Sequence, residues 1–144
     1  MTNVYLELKK KHQQEVNDFP MFFAFNNDQF KEGMERFGLT VDDTDQIYSF
    51  GMGGFYRRTD AADLREMFDR HEREKKEAID NDETGDGYCF HMFNYELGNH
   101  EFGYTREIEP TLEALGLEWE DVRENEKLLY ALKKAIAAHD EEDA

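Results

Sequence analysis

The sequence predicts an α+β fold, with about five helices packed on a small three-stranded antiparallel sheet. Three observations predict it. Apolar residues recur at helical spacing along several long stretches. Two aromatic runs flank the glycine cluster at residues 51–54, the pattern of a hairpin. Twelve Phe, seven Tyr and one Trp in 144 residues supply large apolar side chains for a core, although only 39% of the chain is hydrophobic.

The elements follow in order. Residues 2–17 read as a helix with Tyr5, Leu8, His12 and Val16 on one face. Pro20 ends it, because the residue before proline avoids the helical region. Met21 to Phe25 is an aromatic run too short for a helix and reads as a strand. Asn26, Asn27 and Asp28 supply an N-cap for a helix from Gln29 to Phe37, with Phe30, Met34 and Phe37 on one face and Gly38 closing it. Residues 47–50 and 55–58 are the two hairpin strands. Thr59 or Asp60 caps a long helix ending near Ile79, on whose apolar side lie Leu64, Met67, Phe68 and His71. Residues 80–87 are expected to be a loop. An aromatic helix runs from Tyr88 to about Glu101, with Phe90, Phe93 and Leu97 inward, and Gly103 ends it. Residues 105–115 form a short helix with Pro110 in its first turn, residues 119–124 a helical turn, and residues 126–138 the last helix. Residues 1–139 are expected to be a single domain, and residues 140–144 a frayed acidic tail.

Charge is the strongest compositional feature. There are 34 acidic and 17 basic residues, net −17. The excess is uneven: residues 80–126 carry 14 acids and only Arg106 and Arg123 as bases. That field argues against direct binding to nucleic acid or to an anionic membrane. No apolar run is long enough to span a bilayer, and the first residues carry no apolar secretory segment. One cysteine, Cys89, forms neither an intrachain disulfide nor a thiolate cluster, and a cytoplasmic setting is expected.

The candidate chemical groups are few. Residues 80–91 are similar to a calcium-binding EF-hand loop, with Asp80, Asp82 and Thr84 at its first, third and fifth positions and Gly85 at the sixth. The loop departs from that pattern at Gly87 and at His91, where a bidentate Glu is required. Glu96 and His100 are four apart on a helix and share a face, a candidate metal pair, whereas His91 points to the opposite side. Their alternative role is a local polar pair. His71 on an apolar helix face reads as a core histidine satisfied by one hydrogen bond. Cys89 reads as a small buried apolar residue. Residues 51–54 do not match a dinucleotide fingerprint, and no phosphate loop or nucleophile elbow is present. No cofactor is expected.

The stretches DFPMFFAFNNDQFKEGMERFGL, IYSFGMGGFYRR and FNYELGNHEFGYT, with the following TLEALGL, together resemble a family of small uncharacterised proteins. The resemblance is to members in phages and mobile elements of low-GC Gram-positive bacteria, and it covers roughly residues 15–120. It carries no reaction and no catalytic residue. It implies a setting of accessory genes, many of which antagonise host defence.

Three functional readings follow. The first is a non-enzymatic acidic interaction protein of anti-CRISPR or anti-restriction type, which mimics DNA in the cationic groove of a host defence protein. Its partner is a basic, nucleic-acid-binding effector in the host cytosol. Its contact residues are Asp80, Asp82, Glu83, Asp86, Glu107, Glu109, Glu113, Glu118, Glu120, Asp121, Glu124 and Glu126. The second is a small metal-binding module or metal-assisted enzyme centred on Glu96 and His100. The third is an accessory protein that binds its partner through an apolar patch, with the acids serving solubility.

Overall fold

A computed structural model describes residues 3–143. It is α+β, with eight helices and three strands among the described residues: α1 (Val4–Asp18), β1 (Phe22–Phe23), α2 (Asn27–Arg36), β2 (Ile47–Gly51), β3 (Gly54–Arg57), α3 (Ala61–Asn81), α4 (Tyr88–Asn99), α5 (Phe102–Thr105), α6 (Glu109–Ala114), α7 (Trp119–Arg123) and α8 (Glu126–Asp143). Five helices have seven residues or more, roughly the number expected. The chain forms two compact units, one of Gln13–Glu72 and one of the residues up to His12 with those from Arg73 onward.

In the Gln13–Glu72 unit the strands lie in the order β1-β3-β2, all antiparallel. Phe22 pairs with Phe55 across the ladder and stacks on it at 5.3 Å. Phe30 and Phe37 of the α2 region meet the Phe22 ring edge-on at 5.9 and 5.2 Å, and Met34 is fully buried. Aromatic pairs in this geometry add to the gain from burial alone. Gly33 is required by this packing, because a Cβ there would stand 2.1 Å from the Phe22 ring. Asn26 caps α2 by accepting the Gln29 N–H at 2.8 Å, and the Gln29 side chain accepts the Phe25 N–H at 2.7 Å. That return bond takes Phe25 off the ladder, so β1 is shorter than the expected Met21 to Phe25 run. The hairpin turns at Met52 and Gly53, both at positive φ, the twist a tight antiparallel turn requires.

The other unit is helical. α4 and α8 lie against each other and supply most of its core. Cys89, Met92, Phe93 and Leu97 meet Leu128, Ala131, Leu132 and Ala135, and Tyr5, Phe102, Leu112 and Val122 close the cluster. No strand residue belongs to it. The expectation that the helices pack on the sheet therefore describes α2, while α4 and α8 pack on each other. The buried residues of α4, Tyr88, Cys89, Met92, Phe93, Glu96 and Leu97, form one broad face of the helix.

Four helix boundaries differ from those expected. α3 runs to Asn81, so Asp80 and Asn81 are helical, and Lys127 Nζ donates to the Ile79 carbonyl near its end. Gly103 does not end α4; His100 caps it, and α5 follows between Glu101 and Arg106, both left-handed. Those two backbone reversals bury the Phe102 ring, with the Arg106 guanidinium 4.5 Å above it. The predicted helix over 105–115 is accordingly cut to α6. Residues 140–143 continue α8, where Arg106 pairs with Asp140 at 2.7 Å and His139 contacts the Asn94 carbonyl at 3.0 Å. Ala144 lies outside the described residues.

Candidate functional site

All twelve carboxylates proposed for partner binding fall in the helical unit, and they divide by what surrounds them. Asp82 follows the end of α3 and turns inward. Its carboxylate accepts backbone N–H groups from Gly85 at 3.1 Å, Gly87 at 3.3 Å and Cys89 at 2.9 Å. Burial pulls its pKa up, but these three donors outweigh it and hold the group below the usual carboxylate range. Asp82 thus organises the loop and caps α4, whose own N-cap residue Gly87 has no side chain to do so. Asp86 is also engaged. Lys134 Nζ at 2.6 Å and the Tyr130 hydroxyl at 2.7 Å both donate to it and lower its pKa. Both carboxylates are held by donors of the chain itself, although Asp86 remains 45% exposed. Asp80 and Glu83 are exposed.

Glu96 belongs to a second arrangement. It is 3% exposed, deep on the inner side of α4. Tyr5 donates to Oε1 at 2.6 Å, Lys9 lies at 3.4 Å, and Asn99 donates to Oε2 at 3.4 Å. His100 Nε2 is 3.4 Å from Oε2, as the four-residue spacing predicts. Burial raises the Glu96 pKa, while the Tyr5 hydroxyl and the Lys9 charge overcome it, so the carboxyl is held ionised below its ordinary value. Burial, and after it the same hydrogen bond, push the Tyr5 phenol up. Lys9 is further held over the Tyr5 and Tyr95 rings at 5.8 and 5.4 Å. Among the described residues, no third His, Cys, Asp or Glu joins Glu96 and His100 in a metal-ligating group. The oxygens a metal would use are occupied by donors from α1 and α4. Sequence reasoning missed Tyr5 and Lys9, because nothing local ties residue 5 to residue 96.

The remaining eight carboxylates lie within residues 107–126, where Arg123 is the single base. All eight residues are exposed. Glu109 opens α6, Glu126 opens α8, and Glu118, Glu120 and Asp121 surround the start of α7. Glu118 and Asp121 form a reciprocal capping box, with the Glu118 N–H donating to Asp121 Oδ2 at 2.9 Å. Acids at helix N-termini are stabilised by the helix dipole, which gives five of the eight a local structural reason. Glu107, Glu113 and Glu124 have none of this kind. Among the described residues the one ion pair to this group is Arg123 with Glu124 at 4.0 Å. Trp119, 46% exposed, stands among these carboxylates. A large exposed indole beside charge is a feature of binding hot spots, and the charge count gave no hint of it.

His71 is buried and its Nε2 lies 2.6 Å from Glu15 Oε2, so the core-histidine reading holds. His12, on the face of the first helix shared with Tyr5, is also buried, 3.5 Å from Glu74 Oε2. Cys89 is fully buried, and burial with the nearby Asp82 charge pushes its thiol up to about 12. No helix among the described residues is long and apolar enough to cross a membrane.

Residues 4–138 match a family described as a family of unknown function (DUF7659), and the chain belongs to that family. No curated protein and no solved structure matches it.

Proposed function

From membership of a family without a known function no activity carries over, and we propose that this chain is a non-enzymatic interaction protein. Its exposed carboxylates at 107–126 stand in for the phosphates of a nucleic acid and occupy the cationic groove of a host defence protein. A phage or mobile-element origin and action in the host cytosol belong to this proposal. One observation supports it above the others. The acids of the chain are not equivalent: Asp82, Asp86 and Glu96 are engaged by internal donors, whereas the eight of 107–126 are exposed with a single arginine among them. Like charges held together without counter-charges are costly to a fold and productive against a basic surface. Trp119 supplies an apolar anchor within the same segment.

The test is reversal of Glu109, Glu113, Glu120 and Glu124 to Lys, followed by capture from nuclease-treated host lysate. The native chain is expected to retain basic nucleic-acid-binding proteins and to release them as salt rises toward about 0.5 M, where exposed charges are screened within a few ångströms. The reversed chain is expected to retain none of them. Capture that survives both reversal and salt overturns the proposal in favour of an apolar contact.

A further inference from the structure

The hairpin unit presents a different surface. Phe23, Tyr48, Phe50 and Phe68 are each 40–50% exposed. The first three gather on one face of the sheet. Phe50 meets Phe23 at 5.7 Å and Tyr56 at 5.9 Å, Tyr48 meets Tyr56 at 5.8 Å, and the Phe50 ring lies over Gly54. The opposite face carries Phe22 and Phe55 and is covered by Phe30. An exposed aromatic row of this kind marks an interaction surface.

The ladder adds a direction. β2 is an edge strand. The Ala24 N–H donates to the Gly53 carbonyl, so on the β1 side the hydrogen-bonded pairs are Ala24 with Gly53 and, two residues on, Phe22 with Phe55. The polar backbone groups of Phe55 therefore point to β1 and those of Tyr56 to β2. Tyr48, opposite Tyr56, points its groups back to β3. Ile47 and Ser49 consequently turn their N–H and C=O groups to the open edge. Nothing in the β2 sequence blunts that edge: it has neither Lys nor Pro, and its bulge comes only between Ser49 and Gly51. Beside it runs a groove of about 580 Å³ between Tyr48, Ser49 and Tyr56 on the hairpin and Leu64 and Phe68 on α3. That size falls among pockets that accept ligands, roughly 300–1,000 Å³.

We propose that the open edge of β2 docks an extended segment of a partner protein, alternating basic and apolar side chains. The segment pairs antiparallel with Ile47 and Ser49 and sets an apolar side chain into the groove between Tyr48 and Phe68. Charge selects this occupant over a second copy of the chain. Residues 13–72 contain 13 acids and six bases, so the unit as a whole is negative, while Arg65 and Asp69 both line the groove and offset each other there. Edge-to-edge pairing of two copies would bring two such acidic units together, whereas a basic strand is attracted. This surface is independent of the carboxylates at 107–126 and stands or falls without them.

The probe is a fluorescent, end-capped peptide of seven residues alternating Lys and Val, compared with the same peptide N-methylated at every backbone amide. Both carry the same charge, but only the first can extend the sheet. The native chain is expected to bind the first at least about tenfold more tightly, the equivalent of one or two net hydrogen bonds. Ser49→Pro removes an N–H from the open edge without touching the β3 ladder, and is expected to abolish that difference; Phe68→Ala is expected to weaken the first peptide severalfold. Circular dichroism checks that both variants fold. Equal affinity for the two peptides, or no binding of either, overturns the proposal, and this comparison on the native chain stands even if Ser49→Pro fails to fold. A dimer in sedimentation that Ser49→Pro dissociates also overturns it, since a second copy would then cover the edge.

Discussion

Tyr5 donates its hydroxyl to Glu96 at 2.6 Å, joining α1 to α4 across 91 positions of sequence. Both groups are buried, so each depends on the other for a partner that water no longer supplies.

Tyr5→Phe keeps the ring and removes that donor. Lys9 and Asn99 remain near Glu96, each at 3.4 Å, but neither replaces so short a bond. The expected cost is about 1–3 kcal/mol, the penalty for leaving a buried acceptor short of a donor. Urea unfolding is expected to show a lower midpoint with an unchanged slope. An unchanged midpoint would mean that solvent reaches Glu96 after all.

Glu15 gives the chain an acid-sensitive contact. Hydrogen bonds from Arg70 and His71 lower its pKa from the ordinary 4.5 to about 2. Since the folded value lies below the unfolded one, the stabilisation is complete above pH 4.5 and is lost as pH falls through about 2. Carboxyl NMR of Glu15 is expected to titrate near the lower value. In Arg70→Ala the same resonance is expected to move up, and Glu15→Gln is expected to flatten stability across that window.

Asp82 and Cys89 make a linked prediction. The thiol is fully buried with its pKa raised to about 12, so a thiol reagent at pH 8 is expected to leave the native chain unmodified and to react fully in denaturant. Asp82→Ala removes the acceptor for the Cys89 N–H and those of Gly85 and Gly87. Loss of such a cap costs about 1 kcal/mol, with labelling of Cys89 accelerated by local opening of the α4 start.

The exposed carboxylates should behave in the opposite way. Glu107→Gln and Glu113→Gln remove charge without an ion-pair partner among the described residues, and Glu124→Gln removes only the exposed 4.0 Å pair with Arg123. Their urea midpoints are expected to match the native chain or to rise slightly as repulsion falls. A marked loss of stability in any of them would reveal a structural role and weaken the interaction reading.

The order of residues alone set the local elements. Helical periodicity located α1, α2, α3, α4 and α8, and the glycines between two aromatic runs located the hairpin, because spacing and turn chemistry act over a few residues. It also determined where negative charge accumulates, and that Glu96 and His100 meet across one turn. Packing between distant elements settles which acids are engaged. Asp82 and Asp86 belong to one run in the sequence, yet donors at Cys89 and at Lys134 separate them from Glu107 and Glu113. It alone paired Tyr5 with Glu96, and brought α4 against α8 rather than against a strand. The physical reason is common to these cases. A hydrogen bond or a packed face depends on distance in space, and chain separation of several tens of residues leaves no periodic trace of it.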